Sequence, residues 1–136
     1  MKWTGSLIRI AEHEIEGLRR RVAEVTERRA ACEAALERLA QEAADETAHA
    51  RANAEAGWWL IGFREGWKLR HARALAELAA VSMEEQGARE ALRVAFGELK
   101  KVEHVAENAR VAAVKEQGRR ETVSLDEMAL RREAAE

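Results

Sequence analysis

One short constellation has the spacing of a metal site: Glu46-Thr-Ala-His49. A Glu and a His three residues apart share a helix face. Two such pairs with two further Glu build the di-iron carboxylate centre of a helix bundle. This chain holds one such pair, so the expectation is a solvated helix surface and no metal. His13, His71 and His104 are scattered. Cys32 is the single cysteine and has no partner for a disulfide or a zinc pair. It falls on an apolar seam, which reads as a small buried hydrophobe rather than a nucleophile. No Gly-rich phosphate loop and no Gly-x-Ser-x-Gly elbow occur. Catalysis needs a water-excluding site, so the expectation is a non-enzyme without a cofactor.

The elements that carry these residues are long helices. The chain has 136 residues, 35% of them charged, with no Pro and no Tyr. That composition, rich in Ala, Glu, Arg and Leu, belongs to a coiled coil of one domain. The net charge of -2 mixes both signs and gives no nucleic-acid footprint. Lys2, Arg9 and Glu12 break any secretory pattern, and no apolar run nears the ~20 residues of a membrane span. A lone cysteine fits a reducing cytosol.

Two heptad seams are legible. Ile8, Ala11, Ile15, Leu18, Val22, Val25, Arg29, Cys32, Leu36, Leu39 and Ala43 alternate three and four apart. Leu78, Val81, Glu85, Ala88, Leu92, Ala95, Leu99, Val102, Ala106, Ala109 and Ala113 do the same, with Leu75 and Phe96 widening the stripe. Arg29 breaks the first seam. Glu16 with Arg20, Glu24 with Arg28, Glu85 with Arg89 and Glu116 with Arg120 have the favourable i, i+4 order. The basic doublets along the arms lie beside Glu, which reads as a charge-balanced surface or as a docking face for an acidic partner.

Between the seams lies GWWLIGFREGW, residues 57 to 67, with three of the four Trp. Gly57, Gly62 and Gly66 favour a turn there. Both seams share one heptad register, which would also suit a continuous helix pairing with a second chain. The expected fold is all-α: an elongated antiparallel two-helix coiled-coil hairpin, with a generic scaffold forming a parallel homodimer as the alternative. The single domain, residues 1 to 136, divides into arm one (about 6–54), an aromatic apex (about 55–70), arm two (about 71–121) and a C-terminal helical extension (122–136). An apex near Gly62 would set Leu36 beside Ala88 and Val22 beside Val102. It would also bring Leu7 and Ile8 near Glu116 to Arg120.

Trp58, Trp59, Leu60, Ile61, Phe63 and Trp67 cannot all be buried on a thin rod. Three readings stay open: a local core capping the hairpin, a partner-binding knob, and a membrane-surface contact, for which the stretch is short and lacks a basic face. At the other end, Leu125, Met128 and Leu130 leave an uncovered apolar stripe. Ser124 and Glu127 have the spacing of a capping box, so this end reads as a separately started helix.

The C-terminal segment holds Lys100-Lys101-Val102-Glu103, then Glu116-Gln117-Gly118-Arg119-Arg120-Glu121, then Leu125-Asp126-Glu127-Met128-Ala129-Leu130-Arg131-Arg132. It resembles the end of FliJ-family proteins, the small coiled-coil components of the flagellar export apparatus. Trp3, Leu7, Ile8, Ala11 and Glu14 fit the family's N-terminus. The Trp-rich apex and the interior glycines depart from it. The resemblance implies a cytoplasmic antiparallel coiled coil at the base of the flagellar type III export apparatus. Such a protein serves as the stalk of a hexameric export ATPase, contacts the export gate, and acts as an escort or chaperone for export substrates. Membrane association would be peripheral, through the apparatus. On this reading Trp58, Trp59, Phe63 and Trp67 meet the export gate or an escorted partner. Leu125, Met128, Leu130, Arg131 and Arg132 meet the ATPase ring.

Overall fold

A computed structural model describes residues 2–135. Met1 and Glu136, the ends of the single-domain assignment, lie outside the described residues. Helix α1 spans Lys2–Ala52, a single 3-10 turn spans Ala54–Ala56, and helix α2 spans Trp59–Ala135, with no strand among the described residues. The two helices pack against each other as an all-α hairpin. The break after α1 rules out one continuous helix, and with it the parallel two-chain rod built from such a helix.

The break comes from Asn53, a residue the sequence reading passed over. Its backbone is extended (φ -132, ψ 105), and its side chain accepts a hydrogen bond from the Glu55 amide at 3.2 Å. Asn competes with helical hydrogen bonding through such local contacts and caps well. The turn then closes with Ala56 N–H to Asn53 O and Gly57 N–H to Ala54 O. Among the described residues none has a positive φ. Gly62 and Gly66, read as turn formers, lie inside α2.

Packing divides the chain into two compact units. The unit Glu16–Arg93 contains the turn. There Val25 is fully buried and Val81 nearly so. Leu18, Val22, Cys32, Leu36, Leu39 and Ala43 are half-buried, as are Leu78, Ala88 and Leu92. Trp67, His71 and Ala74 carry the α2 seam back toward the turn. Leu75 does not widen it and stays 47% exposed. The pairing is read from Arg28 Nη1 to Glu84 Oε2 at 2.7 Å, Arg29 Nε to Glu85 Oε2 at 2.7 Å, and Arg70 to both oxygens of Glu42 at 2.8 and 3.0 Å. In that register Leu36 lies opposite about residues 76–78, not Ala88, and Val22 opposite about residues 90–92, not Val102. The cause is the turn's position, several residues before Gly62.

The second unit joins α1 up to Ile15 with α2 from Val94. Thr4, Ile15 and Ala95 are buried. Ile8, Ala11, Phe96, Leu99, Val102, Ala106 and Ala109 are half-buried, so Phe96 does widen the stripe. From Arg110 to Ala135 every residue but Glu116 is exposed. Helix lengths explain this: α2 has 77 residues and α1 has 51, so α2 outruns its partner by 26. Glu116 to Arg120 therefore lie past the start of α1 and do not meet Leu7 and Ile8. The expected separate helix at Ser124 is absent, because α2 passes through Ser124 and Glu127 unbroken.

Charge pairs decorate both units. Glu85–Arg89 and Glu116–Arg120, each at 3.2 Å, form as expected. Glu16 takes Arg19 instead of Arg20, at 2.9 Å. Arg28 leaves Glu24 for Glu84 on the facing helix.

Candidate partner-binding surfaces

The hairpin turn sorts the apex aromatics into two groups. Trp58 sits in the turn and Trp59 is the first residue of α2. They are 74% and 59% exposed, and Ile61 beside them is 68% exposed. Phe63 and Trp67 are half-buried on the side of α2 that faces α1. Trp67 Nε1–H donates to the Leu39 carbonyl at 2.7 Å, which pins the indole across the helix pair. Its ring stacks on His71, with centroids 4.5 Å apart and planes 13° from parallel. Offset stacking of this kind adds to plain burial. Phe63 and Trp67 thus build a small local core, while Trp58 and Trp59 project from it.

Beside that core lies a cavity of about 210 Å³. Ala43, Thr47, Phe63 and Trp67 line it, with Arg64 and Lys68 at its rim. Small side chains on α1 leave room against two aromatics on α2. Arg64 and Lys68 were not picked out in the sequence, although their i, i+4 spacing next to Phe63 and Trp67 was the available signal. Below the cavity, Arg70 grips Glu42 with both nitrogens. Its hydrogen bond and charge hold the Glu42 carboxyl below its ordinary value.

On the terminal part of α2, Leu125, Met128 and Leu130 are 65%, 52% and 65% exposed. Leu125, Met128 and Arg132 follow one another at three and four residues and border one shallow notch with Ala129. Leu130 is five residues past Leu125, about 140° around a helix with 3.6 residues per turn. Leu130 and Arg131 therefore belong to other faces, and the five proposed terminal residues do not form one patch. Val111 and Val114, 37% and 60% exposed, extend the Leu125 face by heptad steps. The heptad seam search missed them because they lie off the seam that meets α1.

Of the early metal candidates, Glu46 is half-buried and His49 exposed. No group of three or more metal-ligating side chains gathers among the described residues. Cys32 is half-buried on the α1 seam.

The chain is 47% identical over 133 residues to proteins named Flagellar FliJ protein from two strains of Caulobacter vibrioides, covering 98% of this chain and 96% of each relative. It belongs to the FliJ family. No family model matches the chain, and no solved structure matches it. For a FliJ-family chain the match runs through turn and extension alike, so the Trp-rich apex falls within the matched length. No helix among the described residues is long and apolar enough to cross a membrane.

Proposed function

We propose that this FliJ-family chain is the cytoplasmic coiled-coil stalk and chaperone of the flagellar type III export apparatus. In this role it engages the hexameric export ATPase through the terminal part of α2. It engages the export gate, or an escorted partner, through the apex. It performs no chemistry of its own. One observation carries the reading: a FliJ-family helix of 77 residues outruns its partner of 51, leaving a single amphipathic helix with nothing on it. A lone helix with an apolar face is stabilised by a partner rather than by itself. A pore or groove in a ring supplies such a partner. Arg131 and Arg132, both exposed, are available for acidic pore residues.

The test mixes the purified protein with a flagellar export ATPase and follows hexamer formation and ATP hydrolysis. Both should rise with the full chain. A chain lacking residues 122 to 136 should fail to stimulate. Full stimulation by the truncated chain would reverse the proposed orientation.

A further inference from the structure

Past Arg110 the exposed part of α2 carries two apolar stripes, and they are unequal. One continues the seam that meets α1: Ala113, Glu116, Arg120, Val123, Glu127 and Leu130. Half of its positions are charged, and Glu116 and Arg120 already hold each other at 3.2 Å. The other runs Val111, Val114, Gly118, Glu121, then Leu125, Met128, Arg132 and Ala135, three and four apart without a slip. Its large apolar members are all exposed. Two charges interrupt it. Glu121 accepts from Gln117 on its own helix at 3.1 Å. Neither Glu121 nor Arg132 has an ion-pair partner among the described residues.

Those two charges identify what fits. Laid antiparallel on itself with Leu125 opposite Met128, the stripe sets Glu121 opposite Arg132, and two-fold symmetry repeats both contacts. Gly118 then meets Ala135, small against small. Laid parallel and in register, the same stripe sets Glu121 against Glu121 and Arg132 against Arg132, like charge on like. An antiparallel pairing lengthened by one heptad loses the match as well, since Arg132 lands on Val114 and Glu121 on Leu125. The flanks of the favoured pairing agree. Thr122, Ser124 and Ala129 border the stripe without charge, and Arg131 falls beside the partner copy's uncharged serine. Counted in full, residues 118 to 135 hold four Arg against three Glu and one Asp, so neither helix carries a net charge that repels the other.

We propose that a second copy of this chain covers the stripe, the two extensions pairing antiparallel as a two-helix coiled coil. The overlap, residues 118 to 135, is about 18 residues or roughly 27 Å long. A contact of that length belongs with the interfaces under ~1,200 Å² that associate weakly and reversibly. The pairing rests on the pattern of the extension itself, not on the assignment of the ring as its partner. It takes up Leu125, Met128 and Arg132, three of the residues assigned to the ring, so self-pairing and ring binding exclude each other. The free protein keeps its apolar stripe covered and yields it to a tighter partner.

Sedimentation equilibrium of the full chain, with no other protein present, tests this. The mass should pass from that of one chain to that of two as concentration rises. Glu121→Arg and Arg132→Glu should each weaken dimerisation roughly tenfold or more, because symmetry places the like-charged pair twice. Both substitutions together should restore it, since the pair is then reversed rather than lost. Leu125→Ser with Met128→Ser should leave a monomer whose circular dichroism is unchanged. With Cys32→Ala as background, labels at Ser124→Cys should sit close across the dimer, with an axial offset of about 8 Å from ~5 residues. Labels at Gln117→Cys should be offset by about 28 Å, from ~19 residues. A chain that stays monomeric, a double charge swap that fails to restore the dimer, or short distances at both labels would overturn the proposal. The ATPase takes no part in these measurements, so their outcome is separate from that of the ring test above.

Discussion

Arg29 and Glu85, the polar residues that interrupt the two apolar seams, meet each other: Arg29 Nε donates to Glu85 Oε2 at 2.7 Å. Glu85 is only 12% exposed at its side chain and also accepts from Arg89 at 3.2 Å, while Arg29 reaches Glu33 at 3.0 Å. Burial raises the Glu85 carboxyl, but the hydrogen bonds and charges of Arg29 and Arg89 outweigh it and hold the group below its ordinary value. A polar layer inside a coiled-coil seam sets register at some cost in stability.

Arg29→Ala and Glu85→Ala should each lower the melting temperature, since each breaks the pair that crosses the helices and leaves the remaining charge only its same-helix partner, Arg89 for Glu85 and Glu33 for Arg29. Arg29→Leu with Glu85→Leu should melt higher than either single variant, and at or above wild type. Thermal melts of these variants, the double Ala variant and wild type check this. Strict additivity of the two Ala substitutions would show that the pair does not couple.

Register itself is measurable. With Cys32→Ala as background, spin labels at Arg28 and Glu84 should report a short intramolecular separation. Labels at Leu36 and Ala88 should be farther apart, by an axial offset of roughly 15–18 Å from ~10–12 residues at ~1.5 Å each. The reverse order would return the turn to Gly62.

Acid should loosen the hairpin. Glu42, Glu84 and Glu85 all lie across the helix pair, and each is held below the ordinary 4.5 in the folded state. Their contribution is complete above the unfolded value and disappears as pH falls through the lowered folded values. Stability should be level from pH 7 to about 5 and decline below 4.5. Glu84→Gln with Glu85→Gln should flatten that decline. A profile unchanged by these substitutions would place the acid sensitivity elsewhere.

The apex residues should separate cleanly. Trp67→Phe keeps a ring but loses the bond to Leu39 and should cost about 1 kcal/mol. Trp58→Ala and Trp59→Ala remove exposed side chains and should stay within about 0.5 kcal/mol of wild type. Each should weaken binding to the export gate by roughly 2 kcal/mol if the tip is a hot spot there. Urea unfolding and a binding titration on the same variants give both numbers. Comparable destabilisation at all three positions would make the whole apex one core.

Gly62 and Gly66 are helical, and a Cβ built on either meets nothing within 4 Å. Gly62→Ala and Gly66→Ala should each stabilise the hairpin by about 0.5–1 kcal/mol. A loss of stability at either site would mean that the local backbone needs glycine after all.

The seams were legible in the sequence because three-four spacing is a local property of one helix. From Ile8 to Ala43 every seam position is at least half-buried, and so is each from Leu78 to Ala109. FliJ membership also needed no coordinates, since 47% identity runs over 98% of the chain. Pairing was different. A heptad seam looks nearly the same after sliding, so spacing alone could not say that Arg29 faces Glu85. The turn decided that, and the turn depends on one Asn side chain capping Glu55. Its position also fixed which aromatics are buried. Starting α2 at Trp59 turns Phe63 and Trp67 toward α1 and leaves Trp58 and Trp59 beyond the last layer. The unpaired 26 residues are a consequence of the same choice. Each arm could be read alone, but where one outruns the other exists only once both are folded together.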